Sequence, residues 1–479
     1  MPVSRPSADL AYLSATEQLA LFKSREISPV EVLRAQLERA DTLADSVNAF
    51  TWRFDAAALE QAEEAEARYR GKAGDPRPLE GLTVAIKEEM PVAGQPITSA
   101  SRIYADAIAV HTSPLAERVI AAGAIIHART TQPEFACAGF TQSTLFGITR
   151  NPWNLDYDVG GSSGGAAAAL ASGLTTLAGG SDIGGSIRIP ASCCGVVGFK
   201  PPYGRVPQDP PFNLDHYCHE GPLARTVADC ALFENVISGP SPVDIASLRE
   251  RVTLPLDPPG VAGLRIAASF DLGDWEPDDD VLCNTQVAID ALRDAGASVE
   301  EVDLYISQED VDTASTAHYG AIFGAQLAAL VTAHPDLVDS YVVDFAQSAT
   351  SIHPGAYYEA LEIEGRITHQ LGLLLESFDA LICPTLTIPA LRVEACGTGL
   401  IRGTKAAALP YDHLMTLPFN IASRCPVLNV PSGFSASGVP TGLQLVGRTF
   451  DDLTSFRIGA ALERAGIWNY ASIRPSLPI

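Results

Sequence analysis

Two serines, Ser162 and Ser186, each follow a pair of glycines, Gly160-Gly161 and Gly184-Gly185. Both lie in one stretch, GGSSGGAAAALASGLTTLAGGSDIGGSIRIP, residues 160–190. A hydroxyl behind paired glycines suits a nucleophile. Glycines adopt backbone conformations closed to other residues and let a ligand approach closely. Consecutive N–H groups at Ile183, Gly184, Gly185 and Ser186 could converge on one oxygen, forming an oxyanion hole beside the attacking atom. That is acyl-transfer chemistry, and it still lacks a base.

Other readings of the stretch explain fewer residues. A flexible linker would be polar on both sides, whereas this one runs into AAAALASG, a strong helix former with a Gly stop. A nucleotide loop needs G-x-x-x-x-G-K-[ST], and no lysine follows either glycine cluster. The nucleophile-elbow pattern G-x-S-x-G fits at Ser162 and again one residue later at Ser163, as glycine-rich runs do by chance. The downstream histidines it would need (His318, His353, His369, His413) have no distinctive context.

The surrounding elements must hold these loops. Residues 14–70 read as helices, with capping boxes at Ser14/Glu17 and at Ser28-Pro29-Val30-Glu31, and a stop at Gly71. LTVAI (82–86) reads as a buried strand, and 116–130 as a helix ending near Gly123 followed by another strand. Helix–strand alternation returns at 370–385. Strands at 426–434 and 441–447 and a helix at 453–466 close the chain. The pattern predicts a sheet covered by helices. One domain spanning 1–479 is the economical reading, with a helical segment (1–75), a core carrying both serines (76–210) and a remainder (211–479).

The 479 residues are 47% hydrophobic and 19% charged, which is enough to bury a large core and excludes a disordered chain. A formal charge of −25 weighs against nucleic-acid and anionic-membrane partners. No apolar run reaches the length of a membrane span, and the N-terminus lacks a signal-peptide pattern, so a cytoplasmic protein is expected. Nine scattered cysteines without a C-x-x-C pair argue against zinc and disulfide frameworks.

The signature GGSSGGAAAALASGLTTLAGGSDIGGSIRIPASCCGVVGFKPPYGRV resembles that of the amidase signature family nearly throughout. The resemblance continues in EISPVEVLRAQLERADTLADSVNAF, GLTVAIKEEMPVAGQPITSAS, TTQPEFACAGFTQSTLFGITRNPWN, GPLARTVADCALFENVISGP and FNIASRCPVLNVPSGFSASGVPTGLQLVGRTFDDLT. It implies an α/β fold with a large twisted mixed sheet covered on both faces by helices. It implies a Ser–cis-Ser–Lys triad in which Ser186 is the nucleophile, Ser162 the relay and Lys87 the base, with a cis peptide at Gly161-Ser162. As a base, Lys87 must be desolvated, because a free lysine is almost wholly protonated at neutral pH.

By the same resemblance, the backbone around Ala136, Cys137 and Ala138 lines the site and Ser163 supports the loop. Asp182 and Arg188 are read as a structural ion pair, and Cys137 and Cys193 as packing residues. Two departures stand beside the site: Glu88-Glu89 where the family commonly has Asp-Asn, and Thr131 where Asn is common. No metal or cofactor is expected, since backbone N–H groups hold the oxyanion.

The expected partner is a small-molecule amide or carbamate, and the expected assembly a monomer or homodimer. Segments 207–220, 311–365 and 390–413 carry Tyr217, Tyr319, Phe323, Tyr357, Tyr358 and Leu400, which suit an apolar or aromatic group. Two alternatives stay open. One is the glutaminase component of a tRNA-dependent amidotransferase, which typically reads S-I-R-Q-P where this chain has Ser186-Ile187-Arg188-Ile189-Pro190. The other is a catalytically silent binding protein on the same fold.

Overall fold

The computed structural model describes residues 7–350, 352, 353, 355–396, 412–470 and 472–477. Leu400 and most of segment 390–413 lie outside them. Among the described residues, eleven strands form one sheet: β1 (Phe50–Arg53), β2 (Thr83–Lys87), β3 (Ile125–Thr130), β4 (Leu177–Asp182), β5 (Val197–Lys200), β6 (His219–Ala224), β7 (Arg265–Ala268), β8 (Ser298–Glu301), β9 (Ala380–Pro384), β10 (Val427–Phe434) and β11 (Pro440–Gly447). Their spatial order is β1-β3-β2-β4-β6-β5-β10-β11-β9-β7-β8. β3, β2 and β4 run parallel, as do β9, β7 and β8, while the remaining pairs are antiparallel. The sheet is therefore mixed, as expected.

Alternate residues of single strands enter different apolar clusters, so helices cover both faces. Val84 and Ile86 of β2 pack with Leu115 and Val119 of the helix Pro114–Ala121. Ala178 of β4 and Leu223 of β6 pack with the helix Gly164–Ala171 on the opposite face. Both expected capping boxes are present.

One expectation is corrected. Residues 14–70 are not all helical, because Phe50–Arg53 forms strand β1 and pairs antiparallel with β3. The run FTWR holds two aromatic residues and a β-branched one, lies in sequence between two helices, and forms the sheet's edge strand.

Candidate active site

Lys87 is the last residue of β2, a strand buried along its whole length, and its side chain is fully buried. The N-terminal end of the helix Gly164–Ala171 brings Ser162 to it. Lys87 Nζ donates to Ser162 Oγ at 2.6 Å and to Ser181 Oγ at 2.8 Å. The Glu89 carboxylate lies 2.9 Å from the same nitrogen. Burial pulls the Lys87 amine below its ordinary pKa, and the Glu89 carboxylate opposes that shift. Lys200 is the other fully buried lysine among the described residues, and burial lowers its amine too, to about 7; of the two, Lys87 is the one in contact with Ser162.

The loop carrying Ser162 is fixed from several sides. The Gly161–Ser162 peptide is cis. A side chain at Gly161 would collide with the backbone of Phe140 and the Ala138 carbonyl, so only glycine lets the 136–140 segment approach so closely. Asp158 accepts from the Gly160 N–H at 2.6 Å and from the Thr141 N–H at 3.1 Å. Ser163 donates its hydroxyl to the Ser181 carbonyl at 3.2 Å and accepts from the Ser181 N–H at 3.3 Å. Thr131, one of the two departures, binds the Thr149 hydroxyl at 2.6 Å, and its carbonyl accepts from the Gly165 N–H at 3.2 Å.

Ser186 follows β4 in the neighbouring loop, and the Ser163 N–H donates to its carbonyl at 3.2 Å. The two serine loops are therefore joined through the backbone. No hydrogen bond joins the Ser162 and Ser186 hydroxyls among the described residues. Gly185 has φ of +119°, a conformation that favours glycine, and its N–H turns toward Asp182 Oδ1 at 2.9 Å. Of the four donors named from sequence, Gly185 is thus engaged. The N–H groups of Ile183, Gly184 and Ser186 make no hydrogen bond among the described residues.

Asp182 and Arg188 form the ion pair read from sequence, both fully buried, through Nε at 3.0 Å and Nη2 at 2.9 Å. Burial alone would raise the Asp182 carboxyl, yet the Arg188 guanidinium holds it well below the carboxylate range. Arg188 also donates to the Thr416 carbonyl (2.9 Å), Gln444 (2.7 Å) and Asn420 (2.6 Å). Arg188→Met should leave a buried carboxylate unpaired. A loss of about 3–5 kcal/mol in urea unfolding is expected, and a loss below ~1 kcal/mol would show that the pair does not order this loop.

Sequence reasoning missed Ser181 and the partnership of Glu89 with Lys87. Ser181 Oγ donates to Glu89 Oε1 at 2.5 Å, so lysine, serine and glutamate form a closed triangle. Nothing in the local pattern marks Ser181, since its partner is 94 positions away. Cys137 and Cys193 behave as packing residues, with burial pushing both thiols up.

Of the aromatic residues named from sequence, Tyr319 comes nearest the glycine loop. Its hydroxyl donates to the Ile183 carbonyl at 3.2 Å and would lie 2.6 Å from a Cβ at Gly184. Phe323 packs on Tyr319, with ring centroids 6.4 Å apart. Tyr217 is fully buried, whereas Tyr357 and Tyr358 are exposed.

A large mixed sheet flanked by helices is the fold of amidase signature structures. The chain belongs to the amidase signature family: the Amidase family model matches residues 31–455. It is a hydrolase acting on amide C–N bonds. The acylamidase of Rhodococcus erythropolis is 32% identical over 96% of this chain and 97% of the relative. A glutamyl-tRNA(Gln) amidotransferase component of Roseiflexus sp. (strain RS-1) is equally similar, 32% identical over 98% of this chain and 100% of the relative. A crystal structure of a bacterial aryl acylamidase of the amidase signature family superimposes with a TM-score of 0.90 at 30% identity, covering 98% of this chain and 99% of that one. Among the described residues no helix is long and apolar enough to cross a membrane.

Proposed function

We propose that the protein hydrolyses aryl and other apolar amides, and carbamates of similar shape, through an acyl-enzyme on Ser186. The observation carrying this reading is the fully buried Lys87 amine in contact with Ser162 at 2.6 Å. As a neutral amine, Lys87 takes a proton from Ser162. Ser162 takes one from Ser186, whose Oγ attacks the carbonyl carbon. The oxyanion is held by N–H groups of the 183–186 loop, with Ile183, Gly184 and Ser186 as the available donors. The proton returns through Ser162 to the leaving nitrogen, and water then releases the acyl group from Ser186 by the reverse path.

Tyr319, Phe323 and Leu417, whose Cδ2 would lie 3.3 Å from a Cβ at Gly184, support an apolar or aromatic group beside this loop. Comparing kcat/KM across p-nitroanilides, primary amides and aryl carbamates tests the substrate class. Aryl amides are expected to be fastest, and fastest turnover of glutamine or malonamide would contradict the proposal.

The second reading, the glutaminase component of an amidotransferase, draws on the equal similarity of the amidotransferase relative. Ile189 weighs against it. This residue is buried with Cys193, Leu386, Leu414 and Val439, where that class typically has glutamine. Ammonia release from free glutamine, with a co-purifying partner, is the result that would favour the second reading.

Glu89 sets the working pH in this mechanism. Its carboxylate favours the ammonium form of Lys87, so neutralising it lowers the Lys87 pKa. Activity rises with pH as Lys87 deprotonates. The acid limb of the kcat/KM profile in Glu89→Gln should therefore move to lower pH, with the variant faster than the parent below the parent's midpoint. An unmoved limb would show that Lys87 does not set it.

A further inference from the structure

Segment 215–217 and the helices Gln308–Tyr319 and Ala356–Ser377 bring two imidazoles and a carboxylate together, sharing no residue with Lys87, Ser162 and Ser186. One ligand atom from each of His216, His318 and Glu364 lies within 4.8 Å of the other two. His216 Nε2 is 3.6 Å from Glu364 Oε2. Two ligands on one tetrahedral ion with bonds of about 2.0–2.1 Å stand roughly 3.3 Å apart, so this pair is already near that spacing.

The surroundings orient the three groups. The Tyr217 hydroxyl donates to Glu364 Oε1 at 2.7 Å, which leaves Oε2 as the oxygen facing His216. His318 Nε2 lies 3.0 Å from each oxygen of Asp215. The His318 ring stacks on Tyr217, with centroids 3.8 Å apart and planes 7° apart. His318 is only 2% exposed, and its Nδ1 is buried with no hydrogen-bond partner among the described residues.

A carboxylate at one imidazole nitrogen fixes the proton there and leaves the lone pair on the other. Proteins orient metal-binding histidines in this way. An unspent buried nitrogen is also unfavourable without a partner. We propose that His216, His318 and Glu364 bind one divalent transition-metal ion, with Asp215 and Tyr217 as the supporting groups. Two imidazoles and a carboxylate suit zinc or cobalt(II), whereas magnesium and calcium take oxygen ligands. Water completes the coordination.

The ion ties the 207–220 segment to both helices. It also fixes His318, and with it the neighbouring Tyr319, whose hydroxyl reaches the Ile183 carbonyl. It supplies no step of the acyl transfer.

The test uses the full chain, stripped with chelator and then dialysed against micromolar ZnCl2 or CoCl2. Ser186→Ala protein serves equally, so the outcome is independent of the catalytic reading. One zinc per chain should remain after gel filtration, and cobalt should give the visible absorption of a tetrahedral centre. His216→Ala and Glu364→Gln should each weaken binding by at least about tenfold. His369→Ala, an exposed histidine on the Ala356–Ser377 helix, should not. His216 is partly exposed, so its variant carries the test even if the Glu364 variant folds poorly. Absence of stoichiometric zinc, or binding that survives His216→Ala, overturns the proposal.

Discussion

Replacing Ser186 with alanine is expected to lower kcat/KM for amide substrates by about 10⁴-fold or more. The melting temperature should barely move. The hydroxyl is the atom that forms the covalent intermediate, and no other side chain in the loop can replace it. Cys193 is the nearest thiol in sequence, but it is buried and held as the neutral thiol. The Ser186 hydroxyl makes no hydrogen bond among the described residues, so its loss breaks no fold-holding contact. The ion pair of Asp182 with Arg188 and the backbone bond from Ser163 remain to hold the loop. Stopped-assay kinetics with a thermal melt of the same sample separate chemistry from folding. A variant retaining a tenth of the parent activity would remove Ser186 from the mechanism.

Lys87→Met should cost about 10³-fold or more in kcat/KM, within the range for general-base catalysis coupled to a nucleophile. Methionine fills much of the same volume without an amine. Folding should survive, because Glu89, the carboxylate left without the amine, is part-exposed to water and keeps its hydrogen bond from Ser181. The remaining activity should also lose the pH dependence set by Lys87. The losses in Ser186→Ala and Lys87→Met should not add in the double variant, since both groups act in one proton path. A Lys87→Met variant with a full loss of structure by circular dichroism would mean that the amine's contacts to Ser162 and Ser181 hold the sheet end together. A folded variant with unchanged kinetics would mean that another base serves.

Legibility in the sequence followed the range of each interaction. The capping boxes at Ser14 and Ser28 are closed within four residues, and both were readable. The Asp182–Arg188 pair spans six positions and was readable too. Strand β2 showed as an apolar run because both of its faces are covered.

β1 was hidden because FTWR is short, sits between two helices and has every residue only half-buried. β8 was hidden for a related reason. Its SVEE has one buried residue at the edge of the sheet, so no apolar run marks it. The assignment of Lys87 rested on the family resemblance, since a strand-end lysine alone is unremarkable. Its partner Ser181 was beyond sequence reasoning, because only the parallel pairing of β2 with β4 brings the two together. The turning of the Gly185 N–H toward Asp182 depends on one backbone angle and leaves no compositional trace.

The most direct test of the account is the pH dependence of covalent labelling by a fluorophosphonate, followed by intact mass and peptide mapping. One adduct per chain is predicted, on the peptide carrying Ser186. Its rate should rise with pH through a single ionisation that is lost in Lys87→Met. An adduct on Ser162, no adduct at any pH, or the same pH profile with and without the amine at position 87 would contradict it.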